Sequence, residues 1–320
     1  MRPDPMRRFT GIPHAVDLRL MGRTVRLETN NHSLLDLALK FFQRHQHGEA
    51  GTPEFLWRIV CDSDPKVPNT DVLLSGFSDL GLRYVSLGQR GFVAVDLENR
   101  EAVGFISNRF VADEGQSRNS RPLDILFCMT APSLGLTAMS GGCVGAEDRG
   151  VMVFGPPNSG KTTACYLAAK SGFEFHADQG IFLDMSGGSL RCWGDLFPAV
   201  FRPQTLQLLP ELQLTTRASS HADLGFHYFD KAPLQNRRAH AVSPICSLFL
   251  DRTGERPRLE QMTREETIVK LRDQLLFCEA GMFDMQICEA LAALADKPAY
   301  SLQYGSDPKT ASVFIAKMLQ

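Results

Sequence analysis

Residues 155–162 read Gly155-Pro156-Pro157-Asn158-Ser159-Gly160-Lys161-Thr162, a full match to the pattern G-x-x-x-x-G-K-[ST], and Thr163 follows. The chemistry of phosphate binding explains those residue types at that spacing. Glycines let successive backbone N–H groups turn inward around phosphate oxygens, and a helix starting at the loop adds its first amides and its positive end. Lys161 then reaches the terminal phosphates as a point charge, and the Thr162 hydroxyl is placed as a magnesium ligand. Gly155 through Thr163 are therefore expected to hold ATP, or another nucleoside triphosphate, together with Mg2+.

Such a loop also needs a carboxylate facing the metal. Three aspartates close apolar runs: Asp178 after Phe173–Ala177, Asp184 after Gly180–Leu183 and Asp251 after Ser247–Leu250. Asp251 closes the string closest to a Walker B strand. Asp178, however, follows Lys161 at the distance of one short helix and one short strand folded back beside the loop. That spacing selects Asp178 as metal ligand and, with Lys161, as catalytic residue. All three remain in play, because open α/β sheets bind ligands at the C-terminal ends of their strands.

The elements needed to position the loop are legible around it. Gly150–Phe154 is a short apolar run with β-branched residues, as a buried strand requires. Thr162–Lys170 reads as a helix with Ala164, Cys165, Leu167 and Ala168 on one face, stopped by Lys170 and Gly172. Strands are expected at Phe173–His176, Gly180–Met185 and Ser189–Trp193, the last two joined by a Ser186-Gly187-Gly188 hairpin turn. A further strand at Cys246–Leu250 and helices at Glu265–Leu276 and Ala311–Leu319 complete this half, which opens with an apolar helical segment, Leu123–Met139.

The first half reads differently. Val16, Leu18 and Leu20, then Val25 and Leu27, alternate on either side of Met21-Gly22, the pattern of a β-hairpin. Ser33 is expected to cap a helix running from Leu34 towards His45. Strand-like pieces follow at Phe55–Val60, Leu82–Val85, Gly91–Val95 and Ala102–Ile106. The polar run Gln116–Arg121 serves as the linker. We thus expect an N-terminal α+β domain over residues 1–121 and an α/β nucleotide-binding domain over residues 122–320.

Composition narrows the class. The 320 residues are 43% hydrophobic and 22% charged, enough apolar material for a large core. Lys and Arg number 34 against 36 Asp and Glu, a net charge of −2, so no global field attracts nucleic acid as the main partner. The eight cysteines are scattered, none in a C-x-x-C pair or at zinc-finger spacing with histidines, and several sit in apolar runs. They are expected to be reduced. No apolar signal core follows the first residues, and the oily stretch Ile125–Met139 is too short to span a bilayer. The expectation is a cytoplasmic protein with no membrane partner; a homo-oligomer is left open.

The stretch from Gly155 to Asp178, through Lys170-Ser171-Gly172-Phe173-Glu174-Phe175-His176-Ala177, resembles without a gap the P-loop core of HPr kinase/phosphorylase and its relatives. More loosely, Trp193–Pro198, Leu209–Leu212 and Pro298–Gly305 are similar to the middle and end of related shorter proteins. The resemblance covers about residues 123–320. It implies a nucleotide core shared with phosphoenolpyruvate carboxykinases, and transfer of a phosphoryl group to a hydroxyl: the serine of a protein or peptide, or a small molecule. Lys161 and Thr162 keep their roles, and Asp178 matches the first of two adjacent aspartates. The second, the family's proton acceptor, is Gln179 here, and an amide cannot take a proton from a hydroxyl. The family's upstream histidine falls in Met139–Cys143, where none occurs, and Phe201–Gln204 stands at the distance of its signature glutamate.

Two readings follow. One is a phosphotransferase using Asp178, with Arg202, Lys231, Arg237 or Arg238 steadying the transferred group. The alternative is a non-catalytic nucleotide-binding regulator or scaffold. A motor-type ATPase fits less well, and no Asn-Lys-x-Asp string reads guanine. His176 lies close enough to Asp178 to tune it, or is simply a hydrogen-bonded strand-edge residue. His221 and His227 are too far apart in sequence to share one helical turn.

Overall fold

A computed structural model describes residues 11–45, 51–62, 76–79, 81–86, 91–108, 111, 122–194, 199–214, 216–218, 227–229, 240–254, 256–276, 284–305, 307 and 309–320. The chain divides into two compact units, Met1–Leu134 and Gly135–Gln320. The polar run 116–121 lies outside the described residues, and the division falls after it, between Leu134 and Gly135.

In the first unit, β1 (His14–Leu20) and β2 (Arg23–Thr29) form an antiparallel hairpin. Met21 and Gly22 turn it with φ of 50° and 81°. Both central residues at positive φ suit the twist of a two-residue hairpin. Helix α1 (His32–Phe42) buries Leu34, Leu35, Ala38 and Phe42. Its cap is Asn31 rather than Ser33: the Asn31 carboxamide oxygen accepts the Leu34 amide at 3.3 Å, and Ser33 sits inside the first turn. The helix is a crossover to β3 (Phe55–Asp62), which pairs parallel with β2. Then come β4 (Gly76–Asp79), β5 (Leu82–Ser86), β6 (Gly91–Asp96) and β7 (Glu101–Ser107). The seven strands form one sheet in the order β1-β2-β3-β7-β6-β5-β4.

The apolar segment expected to be one helix from Leu123 to Met139 is broken into three pieces. Helix α2 (Pro122–Thr130) passes into a 3-10 turn, Ala131–Leu134, and then into β8 (Leu136–Ser140). Pro132 can donate no amide to the helical ladder, and Gly135 adopts φ of 76°, which reverses the chain.

The second unit is built on β9 (Gly142–Ala146), β10 (Arg149–Phe154), helix α3 (Lys161–Lys170), β11 (Glu174–Ala177), β12 (Gly180–Asp184) and β13 (Arg191–Gly194). After β14 (Ala199–Phe201) come α4 (Pro203–Leu208), β15 (Thr216–Ala218), β16 (His227–Phe229) and β17 (Ser243–Asp251). The chain then runs through β18 (Arg258–Gln261), α5 (Arg264–Arg272), α6 (Asp284–Ala295), β19 (Ala299–Gln303) and α7 (Lys309–Leu319). The main sheet has the order β11-β9-β10-β17-β19-β18, with β10, β17 and β19 mutually parallel. Smaller sheets, β13-β12-β8 and β14-β16-β15, accompany it.

The apolar pattern of β10 explains the layers. Val151 and Val153 pack on one face with α3 and α7, through Ala164, Cys165, Ala168, Ala311 and Ile315. Met152 and Phe154 pack on the other with Ile181, Leu183, Leu271, Leu291 and Leu294. A strand covered on both faces must be apolar throughout, as this one is. Helix α6 completes the second layer through Ile287, Ala290, Leu291 and Leu294. The Ser186–Gly188 turn forms as expected, with Gly188 at φ 72° donating to the Met185 carbonyl.

Candidate functional site

The loop between β10 and α3 adopts backbone conformations that its residue types allow. Gly155 has φ of 144°, Asn158 of 71° and Gly160 of 91°. A Cβ on Gly155 would lie 2.6 Å from the Leu250 carbonyl oxygen, and one on Gly160 would collide with the Tyr304 hydroxyl. Both positions thus need glycine for conformation and for space. The loop closes on itself through a bond from the Ser159 amide to the Pro156 carbonyl, and the Tyr304 hydroxyl, rooted in the chain after β19, donates to the Ser159 carbonyl at 2.5 Å. Burial raises the Tyr304 phenol to about 12, so it remains a donor.

Gly160 is the N-cap of α3 and supplies no side-chain acceptor. The amides of the first turn have no intrahelical partners by construction, and a helix start without a side-chain cap presents them to an anion. The Ser159 hydroxyl is buried with no hydrogen-bond partner among the described residues. Lys161 folds back over the loop and donates to the carbonyls of Gly155 at 2.6 Å and Pro156 at 3.1 Å.

A cavity of about 600 Å3 opens beside the loop. Its lining includes Gly155, Pro156, Pro157 and Lys161, the strand end Phe249–Asp251, and Lys270, Asp273 and Gln274 at and beyond the end of α5. Because β17 runs parallel to β10 with Phe249 level with Phe154, Asp251 emerges beside the loop. Phe154 and Phe249 stack at 5.2 Å, and the Lys270 ammonium lies 5.5 Å from the Phe249 ring centre. That cation–π contact brings a second positive charge to the cavity. The Asp251 Oδ1 accepts the Thr253 amide at 3.1 Å, which orients the carboxylate.

The three aspartates chosen by sequence occupy different environments. Asp178 is buried at the end of β11, which runs in the same direction as β10 because both are antiparallel to β9. A Cβ on Gly142 would meet both Cys165 Sγ and the Asp178 Cα, so this strand end meets the early part of α3 across a glycine. Asp178 does not line the cavity; Asp251 does. Asp184 is occupied in its hairpin, accepting the Ser186 amide at 2.9 Å and the Trp193 indole at 3.3 Å. The Gln179 carbonyl accepts the Gly141 amide at 3.2 Å.

Of the cationic candidates, Arg202 is the exposed N-cap of α4, and Lys231, Arg237 and Arg238 lie outside the described residues. His221 also lies outside them, as does the side chain of His227. The His176 ring contacts Glu174 and His240 rather than the cavity. Sequence reasoning gave no role to Lys270, Asp273 or Tyr304. Tyr304 reaches the loop, and Lys270 and Asp273 the cavity beside it, from more than a hundred residues further along the chain, and no local spacing marks such a meeting. None of the seven described cysteines is in a disulfide. No described helix is long and apolar enough to cross a membrane.

No family model matches the chain, and no curated protein matches it. Among solved structures it is similar to the HPr(Ser) kinase/phosphatase from Coxiella burnetii, at 12% identity and a TM-score of 0.29, over 57% of this chain and 87% of that one. At that TM-score the similarity decides neither fold nor chemistry, which rest on the residues above.

Proposed function

We propose that the cavity beside Gly155–Thr163 binds a nucleoside triphosphate such as ATP with Mg2+, and that the protein is an HPr-kinase-like phosphotransferase acting on a hydroxyl. The carrying observation is that Lys161, the uncapped start of α3, Lys270 and Asp251 converge on one 600 Å3 cavity. That volume is within the usual range for a small-molecule site.

In this reading Lys161 exchanges its two loop carbonyls for phosphate oxygens, and the amides at the start of α3 take the remaining charge. Thr162 and Asp178, oxygen donors of the kind Mg2+ requires, would hold the metal where the end of β11 meets the early part of α3, beside the cavity rather than in its lining. Bound magnesium would supply charge neutralisation on the phosphates. Lys270 steadies the transferred group from the far end of the cavity. Asp251, oriented by the Thr253 amide, takes the proton of the acceptor hydroxyl and so fills the role that Gln179 cannot. The acceptor is the serine of a protein or peptide, or a small molecule.

A second reading, a non-catalytic nucleotide-binding regulator, is favoured by one observation: the neutral Gln179 beside Asp178. One experiment separates the two. The protein is mixed with labelled ATP and Mg2+, and binding, hydrolysis and transfer are followed in turn. Turnover that Asp251→Asn abolishes supports the phosphotransferase with Asp251 as base. Turnover that survives Asp251→Asn but not Asp178→Asn returns the base to Asp178. Binding without turnover supports the regulator. Equal retention of nucleotide by wild type and Lys161→Ala, or none by either, removes both readings.

A further inference from the structure

At the other end of the main sheet, three side chains meet that the nucleotide site does not use. Glu174 and His176 come from β11, and His240 from the segment leading into β17. The His176 Nε2 lies 3.3 Å from the Glu174 Oε2, and the His240 Nε2 lies 3.6 Å from the same oxygen. One ligand atom from each residue can be chosen so that all three fall within 4.8 Å of one another. Bonds of about 2.0–2.1 Å to a tetrahedral ion place neighbouring ligand atoms roughly 3.3–3.4 Å apart, so small side-chain adjustments suffice to close the set on one ion.

Local structure aims these groups at each other. The pairing of β11 with β9 slips between Phe175 and Ala177, leaving His176 as the extra residue of a β-bulge. Bulges re-aim a side chain out of the regular pleat. The ring then lies over Gly145 of β9, where a Cβ would stand 2.6 Å from the His176 Nε2. His176 is only 7% exposed, whereas Glu174 and His240 are partly open to solvent, so an ion has a route in. Another carboxylate, Asp148, close enough to His240 to interact with its charge, is held by both terminal nitrogens of Arg191 and by the Ser243 hydroxyl, which keep its acidity raised.

We propose that Glu174, His176 and His240 form a binding site for a divalent transition-metal ion of the Zn2+ type, separate from the nucleotide cavity. Two imidazoles and one carboxylate suit Zn2+ and its neighbours, whereas Mg2+ and Ca2+ take all-oxygen sets. The fourth position falls to water or an incoming ligand. The His240 Nε2 also lies 3.3 Å from the Glu147 carbonyl, and binding exchanges that contact for the ion. The site is independent of the function proposed above, since it shares no residue with it.

The test uses the full-length protein, stripped by a chelator and titrated with Zn2+ alone in a calorimeter, then with Co2+ in an absorption cell. We expect one equivalent of Zn2+ bound at micromolar Kd or tighter, and visible Co2+ bands of tetrahedral intensity. Excess Mg2+ should leave both unchanged. His240→Ala, at a partly exposed position outside any strand, and Glu174→Gln should each weaken Zn2+ at least about tenfold while thermal melts stay in place. Absence of a micromolar site in the wild type overturns the proposal. So does unchanged affinity in both variants, which would put the ion elsewhere, for instance at the exposed Cys288.

Discussion

The two ends of the six-stranded sheet in the second unit carry opposite chemistry. Where β10 and β17 finish, the chain presents backbone amides, Lys161 and Lys270, with Asp251 among them. Where β11 begins and β17 is approached, it presents two imidazoles around a carboxylate. Strand direction accounts for the first end. A parallel strand that feeds a helix places the helix start, with its unpaired N–H groups, at the strand's C-terminal end. At the second end α3 finishes just before β11 begins, so the helix terminus there offers carbonyls instead of N–H groups, and the side chains gathered beside it are cation ligands. In the proposed readings, backbone polarity favours an anion at one end, and side-chain donors favour a transition-metal cation at the other.

Substitutions can break this division. The largest effect is expected from Lys161→Ala, which removes a charged donor from the phosphates. Nucleotide affinity should fall about 10–100-fold, the equivalent of about 1.4–2.7 kcal/mol, in a titration with a fluorescent nucleotide, while Zn2+ affinity stays constant. Loss of both would mean that the two ends are not separate. Gly160→Ala comes next. It forces a side chain into a left-handed conformation, at about 1–2 kcal/mol, and onto the Tyr304 hydroxyl. The urea midpoint should drop together with nucleotide binding.

The acidic strand ends give a finer division. Asp251→Asn should lower turnover at least about tenfold with little change in nucleotide affinity, since a positioned base contributes mainly to the chemical step. Asp178→Asn should instead raise the Mg2+ concentration needed for half-maximal binding. Reversal of the two outcomes would exchange their roles.

The smallest effect belongs to Tyr304→Phe, which deletes one hydrogen bond worth about 1 kcal/mol to the loop. Its signature is pH. The phenol is raised from 10 to about 12 in the folded protein by burial, so the folded state holds its proton more tightly than the unfolded one. Its contribution is complete below pH 10 and is lost as pH climbs towards 12. Urea melts across that range should show this loss in the wild type, and a shallower one in Tyr304→Phe. Equal slopes would sever Tyr304 from the loop.

Legibility from sequence followed the range of the interactions. The hairpin at Met21-Gly22, the strand Gly150–Phe154 and the helix stopped at Gly172 are set by nearest neighbours, and each was readable from periodicity and turn residues. The segment Leu123–Met139 misled because its apolar content is uniform. Only Pro132 and Gly135 marked the helix end and the start of β8. At the site, the glycine loop was evident because one local string encodes its backbone turns. Among the acidic strand ends, spacing and the family resemblance both chose Asp178, whereas the place of Asp251 in the cavity lining follows from the pairing of β10 with β17, which chain spacing does not measure.

The sequence by itself determined the loop that starts α3, because positive φ at Gly155 and Gly160 and the lysine and threonine after them are local requirements. Tertiary structure decided what surrounds that loop. Parallel pairing of β10 with β17 carried Asp251 to it, α5 brought Lys270, and the end of β19 brought Tyr304. It also joined His240 to Glu174 and His176 across a long stretch of chain. Such meetings depend on strand order and register, and those are fixed by burying both faces of one sheet at once, which no single stretch of residues encodes.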